Sequence, residues 1–197
     1  MTLICLVFEP TTQRIVDAVP RQASNDVVRM NEGARVQIDP LDRAILGVLQ
    51  DDGRISIQQL ADRVGLSRAA AYARVRRLES SGVIARYTAV VDPQAAGFDL
   101  LCFIGVRVAV HSHEVVERTR TALAALPQVL ECHHVTGQFD YLLKVALRDR
   151  AELERFIVER LTADPGIKRI NTSLVLHVAK STTAYPLTSD TAQEGER

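Results

Sequence analysis

An α+β protein is what this sequence predicts, with a helical domain followed by a domain built on an antiparallel sheet. Three observations carry that prediction. Between about residues 36 and 84 the apolar residues recur at three- and four-residue spacing, whereas from Leu100 the period falls to two. Asp92-Pro93 and Gly97 punctuate the chain where the period changes. A length of 197 residues suits two modest cores. The expected division is an extension over 1–35, a helical domain over 36–84, a connector over 85–98, a sheet domain over 99–183 and a tail over 184–197.

In the helical domain Asp39 is placed to cap a first helix, with Pro40 at its first position, where a missing amide does no harm. Leu41, Ile45, Val48 and Leu49 supply its buried face, Asp51, Asp52 and Gly53 stop it, and Ile55 anchors the loop. Ser56 and Gln59 form a capping box for a second helix with an Ile57, Leu60, Ala61 and Val64 stripe, ended by Gly65. Leu66 drops into the core. Ser67 caps a third helix without an acid or amide three positions on, so the first amides of that helix stay available to an anion such as a phosphate.

On a wheel of about 3.6 residues per turn, Ala71, Val75 and Leu78 face the core and Ala69, Ala70, Ala73, Arg76 and Arg77 face away. Arg68, Tyr72 and Arg74 sit at the flanks, where a groove-bound helix meets sugar and phosphate. Arginines 63, 68, 74, 76, 77 and 86 stand against one acid, Glu79, in a chain of zero formal charge. Such local charge marks a nucleic-acid surface better than total charge does. A solvated helical hairpin is the bland alternative. The tight turn, the caps and the basic face together favour double-stranded DNA, with Ser67, Arg68, Ala69, Ala70, Tyr72, Ala73, Arg74, Arg76 and Arg77 as contacts.

Gly82 then ends a turn, Val83 and Ile84 close the core, and a strand is expected over about Ala85 to Val91. From Leu100, Ile104, Val106, Val108 and Val110 alternate with Phe103, Gly105, Arg107 and Ala109. A helix buries Val115, Val116, Thr119, Ala122, Leu123 and Leu126 and stops at Pro127. Strands over Val129 to Thr136 and Phe139 to Leu147 flank a turn at Gly137-Gln138, where Gly137 permits the turn and Asp140 caps it. A second helix buries Leu153, Phe156, Ile157 and Leu161, and Ile170, Thr172, Leu174, Leu176 and Val178 form the last strand. This order, βαββαβ, is ferredoxin-like. Both helices cover one sheet face, leaving the other, with several of Phe103, Cys132, Leu142 and Val175, in need of a partner.

Other chemistry finds little support. Cys5, Cys102 and Cys132 are scattered and odd in number, which suits buried thiols in a reducing cytoplasm rather than a disulfide framework or zinc site. His133 and His134 are adjacent on a strand and point to opposite faces, and His111 and His113 lack a companion ligand, so no metal is expected. No nucleophile has a sequence-local base and no cofactor loop follows a strand. LICLVF near the start is too short, and lacks a preceding basic residue, for a secretory signal, and no apolar run is long enough to span a bilayer. The tail from Thr188 is polar and expected to be disordered.

Residues 41 to 97, LDRAILGVLQDDGRISIQQLADRVGLSRAAAYARVRRLESSGVIARYTAVVDPQAAG, resemble the amino-terminal part of the Lrp/AsnC, or feast/famine, transcription regulators. GQFDYLLKV (137 to 145) resembles that family's effector-domain signature. The likeness spans about residues 38 to 182. It implies a winged-type helix-turn-helix and an effector domain whose open sheet pairs with its copy in a two-fold dimer, with tetramers or octamers beyond. It also implies an amino-acid effector at Gly137, Gln138, Phe139, Asp140 and Tyr141, near a neighbouring dimer. Loop amides there suit a carboxylate and an acid suits an ammonium. Gly137 and Asp140 match the family pattern, while Gln138 and Phe139 occupy its variable positions. Members usually begin near Met30, which is expected to be the physiological start. Siroheme decarboxylases resemble the same two-domain architecture and give the enzyme alternative, but an enzyme has no need of an arginine-rich helix with open amides.

Overall fold

The computed structural model describes residues 36–110 and 112–187. The expectations for residues 1–35, for the start at Met30, for His111 and for the tail from Thr188 lie outside these residues. The chain divides into two units, one running to Ala89 and resumed from Thr182, the other spanning Val90–Ser181.

In the first unit, α1 (Pro40–Asp51) opens on a reciprocal cap between Asp39 and Asp42, each side chain accepting from the other's backbone amide. Its inward stripe is Asp42, Ile45, Leu46 and Leu49, whereas Leu41 is exposed. Leu41, Ile45, Val48 and Leu49 are also helically spaced, so periodicity alone chose a neighbouring stripe and missed the carboxylate occupying an apolar position. Ser56 and Gln59 cap α2 (Ile57–Val64), and Gly65 ends it at φ +69°. Then α3 (Arg68–Ser80), capped by Ser67, buries Ala71, Val75 and Leu78 against Ile45, Leu60 and Ile55.

One expectation fails at the end of this unit, and a further contact joins it there. Residues 85–91 form no strand, because an extended segment counts as one only when its amides and carbonyls find a ladder partner. Residues 184–187, where the tail is expected to begin, are held to the helical unit. The Gln50 side chain holds the Tyr185 backbone at both ends, donating to its carbonyl at 3.1 Å and accepting from its amide at 2.6 Å, and Leu187 packs against the helical core.

The second unit runs β1 (Leu100–Val108), α4 (His113–Ala124), β2 (Val129–His134), β3 (Tyr141–Leu147), α5 (Arg150–Arg155) and β4 (Ile167–Leu174). The sheet order is β2-β3-β1-β4, antiparallel at every pairing, the ferredoxin-like arrangement that βαββαβ implies. From α5 the chain continues into a π-helical turn, Phe156–Leu161, with the Thr162 amide bonded to the Ile157 carbonyl. Closure over five residues sets Phe156 and Leu161 one above the other, and both are buried. Cys102, Ile104, Val106 and Val108 of β1 meet Tyr141, Leu143, Val145 and Leu147 of β3 beneath Leu123, Phe156 and Leu161.

The opposite sheet face has no covering layer within the unit. Phe103, Leu142 and Val175 lie on it as expected. Cys132 does not: it pairs with the buried Leu143 and packs on the helix side, after a register shift between Val129 and Glu131. Ala122 is exposed rather than buried, and β4 stops at Leu174, leaving Leu176 and Val178 exposed.

Candidate nucleic-acid interface and the 137–141 loop

On α3 the outward side chains are small or basic. Ser67, Arg68, Ala69, Tyr72, Ala73, Arg76 and Arg77 are exposed, and Ala70 and Arg74 are half-buried. The Ser67 hydroxyl accepts from the Ala70 amide at 3.2 Å, and no second side chain closes the cap. The amino end of α3 therefore keeps amide groups directed outward.

The arginines fall into distinct groups. Arg74 reaches back to α1, its Nη1 lying 2.6 Å from Asp39 Oδ2 and 2.8 Å from Asp42 Oδ1. Arg77 donates through Nη2 to Asp42 Oδ2. The Asp42 side chain has no exposed surface, while those of Arg74 and Arg77 are 27% and 47% exposed. Burial alone would raise the Asp42 carboxyl, but hydrogen bonds from Arg77, the Asp39 amide and Arg74 outweigh it, and the group lies below its ordinary range. Asp39 is lowered chiefly by Arg74, whose own affinity for its proton rises in turn. Arg76 meets Glu79 at 3.2 Å and stays largely exposed. Glu79 also accepts from the Tyr87 hydroxyl, which burial and this acid push upward.

Three of the six arginines counted from the sequence are thus ion-paired, two of them to α1. Arg74, expected at a phosphate, is committed to holding α1 against α3. Sequence reasoning missed Asp42 because it looked for charge on α3 and apolar residues on α1. The D-x-x-D spacing of Asp39 and Asp42 was the available signal.

In the second unit the 137–141 residues separate. Gly137 has φ +117°, backbone that an L side chain resists. Gln138 is exposed. Phe139 folds back over β1: a Cβ on Gly105 would lie 2.6 Å from its ring. Asp140 closes the turn through its carbonyl, which accepts from the Val135 amide at 3.0 Å, and is also tied to β1. Its amide donates to the Val106 carbonyl at 2.9 Å and its carboxylate accepts from the Val108 amide at 2.8 Å, so it fastens the loop to β1. Tyr141 is buried on the helix side, its hydroxyl donating to the Val116 carbonyl of α4 at 3.1 Å and its ring stacked on His134. Phe139 lies on the open face, whereas Tyr141 anchors the loop from beneath.

His133 pairs with Glu131 on the open side, so the two adjacent histidines do part to opposite faces. Among the described residues no group of three or more His, Cys, Asp or Glu side chains could hold a metal, and no helix is long and apolar enough to cross a membrane.

Residues 38–85 match the model of a winged helix-turn-helix DNA-binding domain, and residues 101–185 match that of the Lrp/AsnC ligand binding domain. The leucine-responsive regulatory protein of Escherichia coli is 40% identical over 143 residues, covering 73% of this chain and 87% of that protein. The HTH-type transcriptional regulator FL11 of Pyrococcus horikoshii is 33% identical over 153 residues, covering 78% of this chain and 99% of its own length. Among solved structures, a transcriptional regulator of Neisseria meningitidis in complex with L-Met superposes with a TM-score of 0.74 at 32% identity, covering 77% of this chain and 97% of that one. Escherichia coli AsnC gives 0.70 at 28% identity, covering 75% and 98%.

Proposed function

This chain belongs to the Lrp/AsnC family of DNA-binding transcriptional regulators, and on that premise we propose that it binds operator DNA through α3 as a two-fold dimer or larger assembly, under the control of an amino acid bound at the 137–140 loop. The observation that carries the DNA reading is the outward face of α3, where Ala69 and Ala73 let the helix backbone approach a groove closely between Arg68 and Arg76. Alanines contribute apolar contact with thymine methyls and no bidentate base bonds. Sequence choice then leans on DNA bending at flexible or A·T-rich steps. Arg76 and the free side of Arg77 act on phosphates.

The uncovered sheet face, with Phe103 39% exposed, supports pairing with a second copy. A two-fold pair spaces two recognition helices by about 34–36 Å or a multiple of it. The neisserial relative's L-Met complex and the leucine-responsive relative support an amino-acid ligand. Such a ligand acts only by preferring one assembly over another.

Genome-wide footprinting with and without amino acids tests both parts. Footprints of paired half-sites that change in extent with one amino acid are expected. No footprint would overturn DNA binding by α3, and footprints indifferent to every amino acid would overturn the effector. Asp140→Asn keeps an acceptor for the Val108 amide while removing the charge. It is therefore expected to stay folded and dimeric while losing the effector's influence.

A further inference from the structure

The open face of the sheet changes character along its length. At one end it presents Leu101, Phe103 and Val175, which suit a second copy of the chain. At the loop end the same face carries Arg107 of β1 and Arg169 of β4, directly opposite one another in register and both exposed. Like charges directly opposite in an antiparallel pair work against the sheet. No ion pair to another described residue relieves either arginine. Glu131, on the same face, is engaged by Lys144 at 2.9 Å and His133 at 3.1 Å.

The pair stands beside the loop. Two hydrogen bonds, Asp140 amide to Val106 carbonyl and Val108 amide to Asp140 carboxylate, bracket Arg107 on its β3 side. Phe139 covers Gly105, two residues away on the same face. A molecule lodged at the loop would thus meet an aromatic ring and then two guanidinium groups. Paired guanidinium forks match a carboxylate, which they bind by charge-assisted hydrogen bonds.

We propose that Arg107 and Arg169 form a carboxylate-binding site and that the effector is an acidic amino acid of the aspartate or glutamate type. Its side-chain carboxylate lies on the arginine pair, its methylene stem lies against Phe139, and its α-carboxylate and ammonium lie at the loop. This rests on the loop's being the effector site, and it adds the ligand's class, which neither Gly137 nor Asp140 discloses.

Calorimetric titration of the full chain with L-aspartate, L-glutamate, L-asparagine, L-glutamine and L-leucine tests it, because each acid has an uncharged counterpart of nearly equal shape. One acid is expected to bind at least about tenfold more tightly than its amide, the scale of one charge-assisted bond. Arg169→Gln, and separately Arg107→Gln, are expected to erase that preference, with circular dichroism reporting an intact fold. Equal binding of acid and amide, tighter binding of leucine, or a preference that survives both substitutions overturns the acidic ligand and leaves the loop reading standing. Binding of none of the five overturns both. If the arginines instead meet acids of a second copy, the variants lose dimerisation in light scattering without any change in acid preference, which also overturns the proposal.

Discussion

In the helical unit Arg74 and Arg77 reach back to a buried aspartate. In the sheet unit Arg107 and Arg169 stand across from each other with no carboxylate drawn to them among the described residues. Each of the four stands beside at least one apolar residue in sequence. The difference lies in what the opposing element supplies. Helix α1 turns Asp42 inward at a position its stripe would give to a leucine, so the charge of Arg74 is spent inside the fold. Strand β4 supplies only a second arginine. An arginine drawn onto a buried carboxylate holds structure together, and one left largely exposed is available to a ligand.

The strongest way to break this contrast is Asp42→Ala. Removing one partner of a buried ion pair costs about 3–5 kcal/mol; the half-exposed arginines reduce that through solvent screening, so about 2–3 kcal/mol is expected here. Urea denaturation should show the loss. An unchanged midpoint would mean that Asp42 contributes nothing to holding α1 on α3.

Acid offers a second route. Asp39 and Asp42 both lie below the ordinary aspartate value, so the stability they add is fully present above that value and is lost as pH falls through their lower folded-state values. Thermal melts of the wild type should therefore decline steeply at the acid end. Asp42→Asn, less stable at neutral pH, should show a shallower decline.

In the sheet unit, Gly105→Ala places a methyl group where the Phe139 ring lies. Overpacking of this kind costs about 1–2 kcal/mol. Most of the response should appear as displacement of Phe139, read out as altered amino-acid binding with the far-ultraviolet spectrum preserved. Smallest in energy but most diagnostic is the salt dependence of DNA binding. Arg76→Ala should lower the slope by about one unit of charge. Arg74→Gln should leave the slope unchanged and weaken the fold instead, and a slope lowered equally by both would erase the distinction between held and available arginines.

How far these features could be read in advance depended on how local their causes were. The caps at Asp39, Ser56 and Ser67 and the left-handed Gly65 involve residues within four of one another, and all appear as expected. The order of sheet elements was equally legible, because alternation and helical spacing give way to each other within short windows. Asp42 was missed because its reason is Arg74, thirty-two residues away. Cys132 was placed on the wrong face because a register shift between Val129 and Glu131 is a property of pairing with β3, not of β2 alone. The 85–91 segment has strand-like composition, yet no ladder partner lies beside it among the described residues. At the 137–141 loop the sequence marked a turn, and the effector role is what the resemblance implies. Only the register of β1 on β4 put two arginines next to it.

The clip between Gln50 and Tyr185 bears on how the protein is made. The unit holding α1 to α3 is encoded first, but it includes Leu187, which leaves the ribosome after the whole sheet unit has been synthesised. Domains generally fold in the order of their emergence. Here the buried helical core, Ile45 to Leu78, is complete before the sheet unit is made, and a nascent chain stalled before residue 182 lacks only the outer contacts of Tyr185 and Leu187.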